Sequence, residues 1–218
     1  MEQTVKILMT GFVTHDVKRF VVERPAGYDF KPGQATRLSI NQPGWEAKAR
    51  PFTFTSLADD LVLEFIIKGY FDHDGVTARL HGLTAGDEVI LRDVWGTMAY
   101  KGPGVFIAGG TGITPFIPIL RRLHADGKIA GHQLIFANRT ARDVICRAEL
   151  EHMLGDGLVL VLEEPAADCA TGFVDRDLLG EQVKDFSQPF YLCGPPPMVK
   201  AVTAALKDLG ARPEALVL

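Results

Sequence analysis

Two different patterns of hydrophobic positions divide the chain. In the first half, apolar and β-branched residues come in short stretches at 5–12, 18–23, 34–40, 52–55, 61–68 and 88–93, with turns rich in Gly, Pro and Asp between them. Many strands at such close spacing predict an antiparallel barrel or sandwich. One short helix fits near 77–80. After Gly102 the pattern becomes four continuous apolar runs, at 105–108, 134–137, 158–162 and 190–192, separated by helix-length segments. Residues 115–124 place Phe116, Ile119, Leu120 and Leu123 on one helical face, and 196–209 do the same with Met198, Val202, Leu206 and Leu209. Fully apolar strands alternating with amphipathic helices predict a parallel sheet covered on both faces. The expected division is an all-β antiparallel barrel domain over residues 1–101 followed by an α/β domain with a parallel sheet over 102–218, joined by the short hinge YKGPG at 100–104.

Composition narrows the class. The 218 residues are 47% hydrophobic and 23% charged, with a net charge of -4. That balance suits a soluble globular protein with real cores and argues against a nucleic-acid binder, which usually shows a basic face. No apolar run approaches the roughly 20 residues of a membrane span, and the first residues lack the pattern of a secretory signal. Three widely spaced cysteines, Cys146, Cys169 and Cys193, form neither a disulfide framework nor a metal-ligand cluster. The expectation is a cytoplasmic protein with no metal, so an iron–sulfur or haem partner must be another molecule.

Four segments carry candidate chemistry, and each also reads as plain structure. Gly109-Gly110-Thr111-Gly112-Ile113-Thr114-Pro115 follows a strand and precedes a helix. Glycines let the backbone approach a phosphate, and the helix N-terminus offers free N–H groups to an anion; Pro115 suits the first turn. The spacing is not the G-x-G-x-x-G dinucleotide fingerprint. Tyr191-Leu192-Cys193-Gly194-Pro195-Pro196-Pro197-Met198 is a second strand–turn–helix junction, expected at the same sheet edge, where ligands of open α/β sheets bind. Cys193 would face that crevice, or be a buried core thiol. In the barrel half, Arg50-Pro51-Phe52-Thr53-Phe54-Thr55-Ser56 offers a guanidinium for a phosphate, a ring to stack and a hydroxyl; taken singly these residues also fit an ordinary strand with a surface arginine. Gly75-Val76-Thr77 opens the short helix, with Thr77 as N-cap, making either a phosphate seat or a simple cap. The histidines, including His73 and His81, read as surface or loop residues, and Glu163-Glu164 as a solvated loop end.

Taken in order, RPFTFTS, the G-V-T helix start, GGTGITP and YLCGPPPM resemble the ferredoxin–NADP reductase superfamily of flavoproteins, in particular the short bacterial flavodoxin/ferredoxin reductases and the reductase modules of oxygenases. The resemblance covers nearly the whole chain. It implies a flavin-binding barrel and a nicotinamide nucleotide-binding α/β domain. Arg50 would contact the flavin phosphate beside Pro51, Phe52 would stack on the isoalloxazine, and Thr53 would hydrogen-bond near flavin N5. Ile66 and Lys68 would lie along the ribityl–phosphate tail, with Gly75, Val76 and Thr77 binding phosphate. Gly110, Thr111 and Gly112 would hold the nucleotide pyrophosphate, with Thr114 shaping that loop. Asn138 and Arg139 would meet the adenine-side ribose, and Cys193 and Gly194 would approach the nicotinamide, with Pro195 fixing the turn. Two departures stand out: Phe52 replaces the family's usual tyrosine, and the ending Glu214-Ala215-Leu216-Val217-Leu218 lacks the aromatic that covers the flavin in many relatives.

The implied activity is an NAD(P)H-dependent flavoprotein reductase, with Thr53 and Cys193 at the reacting atoms, passing electrons through bound FAD to a separate carrier such as flavodoxin or ferredoxin. Arg139 and Arg142 tilt the expectation towards NADPH, although both also read as surface charges. The chain is expected to be a monomer. The alternatives are an NAD(P)H:flavin reductase that releases free reduced flavin, and a flavin-binding electron-transfer subunit of a larger complex.

Overall fold

A computed structural model describes residues 2–96, 98–212 and 216–217. The first half forms strands β1 (Gln3–Phe12), β2 (Val17–Glu23), β3 (Ala35–Ile40), β4 (Arg50–Thr53), β5 (Val62–Lys68) and β6 (Glu88–Trp95), with helix α1 (Val76–His81) before β6. All strand pairs are antiparallel, in the order β4-β3-β6-β1-β2-β5. The sheet curls on itself: just past β4, Thr55 N–H donates to the Glu64 carbonyl at 2.8 Å, joining the two edges. Alternate residues fill the interior, including Phe20, Val22, Leu38, Ile40, Leu63, Phe65, Ile67 and Leu91, with Phe54 capping them.

The second half forms β7 (Val105–Gly109), α2 (Phe116–Ala125), β8 (Gln133–Asn138), α3 (Arg147–Leu154), β9 (Leu158–Leu162), β10 (Ala170–Thr171), α4 (Arg176–Gln182), β11 (Phe190–Cys193), α5 (Pro196–Asp208) and β12 (Leu216–Val217). The sheet is parallel in the order β10-β9-β8-β7-β11-β12. Strand alternation divides the core. Phe106 and Ala108 of β7 pack with Phe116, Leu120 and Leu150 from α2 and α3, while Val105 and Ile107 pack with Leu179, Val202 and Leu206 from α4 and α5. Among the described residues, no helix is long and apolar enough to cross a membrane.

Two local expectations change. Gly75, not Thr77, is the N-cap of α1, in extended conformation and without a side-chain cap; Thr77 instead accepts a long bond (3.4 Å) from Tyr70 N–H. His81 is not a surface residue but only 9% exposed, donating through Nε2 to the Ile67 carbonyl at 2.9 Å. Burial lowers its pKa, against the opposing pull of that carbonyl. Of the terminal segment singled out in the sequence, Glu214, Ala215 and Leu218 lie outside the described residues; Leu216 and Val217 form β12 beside β11.

Candidate functional site

The two sheets meet along β2 and β5, and two cavities open on that seam. The larger, about 700 Å³, lies at the carboxyl ends of β7, β8 and β9 and is lined by Gly110, Thr111, Asn138, Arg139 and Pro195. The barrel closes its other side with His15, Asp16, Val17 and Lys68. That volume falls in the usual range for a small-molecule site. The smaller, about 170 Å³, is lined by Pro51, Phe52, Thr53, Ile66, Lys68, Tyr70 and Thr77 of the barrel and by Thr111 and Thr114 of the glycine-rich loop. Lys68 and Thr111 line both, so the cavities adjoin.

The glycine-rich segment forms a 3₁₀ turn, Gly110–Ile113, between β7 and α2. Thr114 closes it twice, its N–H and its hydroxyl both donating to the Thr111 carbonyl at 3.1 and 3.0 Å. Gly110 has φ +52°, with open space where a side chain would stand, as a backbone approached by a ligand requires. Gly112 is used differently. It is buried against the end of β11, where a Cβ would fall on the Cys193 carbonyl. Of the predicted site residues, Gly112, Cys193, Gly194, Arg50, Gly75 and Val76 line neither cavity. Cys193 packs against the core and its thiol pKa is raised by burial. Val76 is a barrel core residue. Arg50 is exposed, its guanidinium donating to the Ala49 carbonyl at 3.1 Å.

Asn138 gives a direct sign of a missing partner. It is only 8% exposed, lines the larger cavity, and neither its Oδ1 nor its Nδ2 has a hydrogen-bond partner. A buried amide left unpaired costs on the order of 1–3 kcal/mol, so this side chain fits a site completed by a polar ligand. Next to it, backbone bonds from Glu163 N–H to Asn138 O (3.2 Å) and from Glu164 N–H to Arg139 O (2.9 Å) join the ends of β9 and β8. The two glutamates therefore face the cavity, and Glu164 lies 3.6 Å from Arg139.

On the barrel side of this cleft, sequence reasoning singled out Lys68 but missed His15 and Asp16. Asp16 is held by Lys68 at 2.8 Å and by the Thr14 hydroxyl at 3.1 Å. Burial pushes its pKa up, but the lysine and the hydroxyl outweigh that and hold it below the ordinary carboxylate value. His15 lies 3.7 Å from both Asp16 and Asp143. Although the three have ligand atoms within 4.8 Å of one another, both carboxylates are already engaged, Asp143 by Thr140 through its N–H (2.9 Å) and its hydroxyl (2.7 Å). Only the packing of the two halves reveals this group, because His15 and Asp143 are 128 residues apart in the chain.

A barrel and a parallel sheet that share adjoining clefts at the glycine-rich turn define a nicotinamide nucleotide-dependent oxidoreductase. Comparison with known proteins agrees. Residues 106–204 match the oxidoreductase NAD-binding domain. The chain is 32% identical to the reductase component of propane 2-monooxygenase from Rhodococcus jostii, over 88% of this chain and 55% of that one. It is 31% identical to NADH-cytochrome b5 reductase 1 from Bos taurus, over 96% of this chain and 83% of that one. Its fold matches the flavohem-like FAD/NAD binding domain of nitric oxide dioxygenase from Vibrio cholerae with a TM-score of 0.87 and 23% identity, covering 98% and 96% of the two chains. The chain belongs to the ferredoxin–NADP reductase superfamily of NAD(P)H-dependent flavoprotein reductases. It spans about half the length of the propane monooxygenase relative and most of the cytochrome b5 reductase.

Proposed function

We propose that this chain accepts a hydride from NADH at FAD held on the barrel and passes electrons singly to a separate carrier protein. The observation that carries the reading is the junction of the two cavities at Lys68 and Thr111. A ring held against Phe52 would there meet a nucleotide held by the glycine-rich turn. When bound, the nucleotide supplies the hydride from nicotinamide C4 to flavin N5, and the cofactors carry the electronic chemistry. The protein orients and solvates. Phe52 offers a ring face, and the Thr53 hydroxyl a donor to charge developing beside it. Lys68, already neutralised in part by Asp16, offers a cation to phosphate. Tyr70 at the wall of the small cavity and the 62% exposed Phe71 next to it in sequence offer apolar surface to the adenine half of FAD, which favours FAD over FMN.

Charge at the far end of the larger cavity turns the nucleotide preference towards NADH. Glu163 and Glu164 line it, and Glu164 occupies Arg139. Carboxylates accept hydrogen bonds from a ribose diol but repel a 2′-phosphate. The acceptor is an iron–sulfur or haem protein. The relatives by name serve a propane 2-monooxygenase and a cytochrome b5.

The test is an absorbance spectrum of the purified protein followed by stopped-flow mixing with NADH and with NADPH. A copurifying yellow cofactor, released as FAD and bleached faster by NADH, is expected. Protein that shows no bleaching with either nucleotide would sink the reading. Flavin that dissociates on gel filtration would move it to a flavin reductase.

A further inference from the structure

The seam between the halves uses one face of two strands. Val17 and Arg19 alternate on β2, and Glu64, Ile66 and Lys68 on β5, so each set points to one side. Val17 and Ile66 enter the same buried cluster as Phe106, Phe116, Ile117 and Leu120 of the α/β half. Beyond this apolar centre, away from the cavities, lies Arg121 of α2, whose side chain is 17% exposed. It grips Glu149 of α3 with both arms, Nε to Oε1 at 2.5 Å and a terminal nitrogen to Oε2 at 3.0 Å. Its other terminal nitrogen crosses the seam to Glu64 Oε1 (2.7 Å) and to the Thr55 carbonyl (2.6 Å). Glu64 is held in turn by the Thr55 hydroxyl at 2.8 Å and by Arg19, whose Nε forms an ion pair at 3.2 Å.

Arg121 and its two partners across the seam stand on segments that lead into the cavities. Its own helix begins directly after the glycine-rich turn. Glu64 precedes Ile66 and Lys68 on β5, and Thr55 follows Thr53 by two residues; all three of those residues line the smaller cavity. We infer that Arg121 is a positioning residue for hydride transfer: it sets the flavin strands at a fixed distance from the nucleotide loop. The inference rests on the flavin and nucleotide reading above. The planar fork spreads its donors over three nitrogens, which here reach acceptors on three separate segments. Lysine at this site keeps the charge but cannot reach Glu149, Glu64 and Thr55 together.

The experiment compares wild type with R121K, and with E149Q, which removes one charge while leaving the contacts to Glu64 and Thr55. Four quantities are read on the flavin-loaded protein: the limiting rate of bleaching at saturating NADH, the nucleotide Kd, the long-wavelength charge-transfer absorbance, and hydrogen exchange across residues 62–68. A misplacement of about 1 Å costs on the order of 100-fold in rate. R121K is therefore expected to lose at least tenfold in limiting rate, with a weaker charge-transfer band and faster exchange in β5, while Kd changes less than threefold. E149Q should show the same pattern to a smaller degree and decides the matter if R121K does not fold. Bleaching at the wild-type limiting rate with the band intact, in a variant whose melting temperature alone has dropped, would overturn the inference and leave the reductase reading standing. A wild type that is not bleached overturns both.

Discussion

Gly112 offers the sharpest test of how the nucleotide side is built. A Cβ there would fall on the Cys193 carbonyl oxygen, 2.5 Å from its carbon and 2.7 Å from the Gly194 nitrogen. These are backbone atoms at the end of β11, a strand paired on both sides, with β7 and β12, so no rotamer change relieves the clash. Carbon–oxygen contacts settle at about 3.3–3.6 Å, so the glycine-rich turn and β11 must part by about 1 Å in Gly112→Ala. Overpacking of this kind costs about 1–3 kcal/mol, and the upper end applies where the neighbours are backbone. At about 2–4 °C per kcal/mol for a chain of this size, melting should fall by roughly 6–12 °C. Gly110→Ala is the control. Its methyl meets nothing within 4 Å, but its φ of +52° costs an alanine about 1–2 kcal/mol. It should melt closer to wild type yet bind nucleotide more weakly, because the methyl enters the larger cavity. Thermal unfolding followed by circular dichroism separates the two. A Gly112→Ala protein melting within about 2 °C of wild type would refute the close approach of the two turns.

Phe52→Ala should release flavin: an aromatic pair contributes about 0.5–1.5 kcal/mol beyond its buried area, so retention on ultrafiltration should drop at least several-fold, while Phe52→Tyr keeps the cofactor. The double variant E163Q/E164Q should raise kcat/KM for NADPH by about tenfold, on the order of 1.4 kcal/mol, with little change for NADH; steady-state kinetics showing parallel changes would remove the acidic discrimination. His81 predicts a pH effect. Burial depresses its folded pKa below the ordinary 6.5, although nearby Asp16 pulls upward and Lys18 downward. The unfolded chain therefore takes up the proton first. Stability is complete above about pH 6.5 and declines as pH falls towards the folded pKa; melting curves between pH 7.5 and about 5.5 should show this slope, and H81Q should flatten it.

Much of the architecture was legible because the periodicity changes where the fold changes. Six alternating stretches became six antiparallel strands, and the four apolar runs became β7, β8, β9 and β11, with ends moved by one or two residues. Short elements escaped. The two-residue β10 and β12 carry no period, and α3 buries only Leu150 and Met153. Residue type misled at Thr77, which suits an N-cap by chemistry while extended Gly75 takes that position. In the site, the glycine-rich turn could be read because its signal is local. The sequence could not show that Gly112 packs while Gly110 stays open, nor that Glu163 and Glu164 face a cleft. Arg121 is the clearest case. It lies on the polar side of an amphipathic helix and reads as a solvated charge. It is largely covered because a barrel strand more than fifty residues earlier in the chain and Glu149 of α3 close over it.

The seam is unequal along its length, and this follows from which residues alternate on β2 and β5. At the Arg121 end, parting the halves would break the enclosed bonds from Arg121 to Glu64 and to the Thr55 carbonyl, charge-assisted contacts of about 1.5–3 kcal/mol each, while the Arg121–Glu149 pair stays within the α/β half. Within the α/β half, burial alone would raise the Glu149 pKa, yet Arg121 holds it below the ordinary value, so the guanidinium is anchored on that side. At the nucleotide end the halves touch through His15 and Asp143, 3.7 Å apart, with His15 half exposed; an exposed pair of this kind contributes less than about 1 kcal/mol. Separation is therefore cheap at the mouth and costly at the base. On the role inferred for Arg121, a nucleotide would displace the first contact on entry without disturbing the second, and the two cavities would be held in register before any ligand arrives.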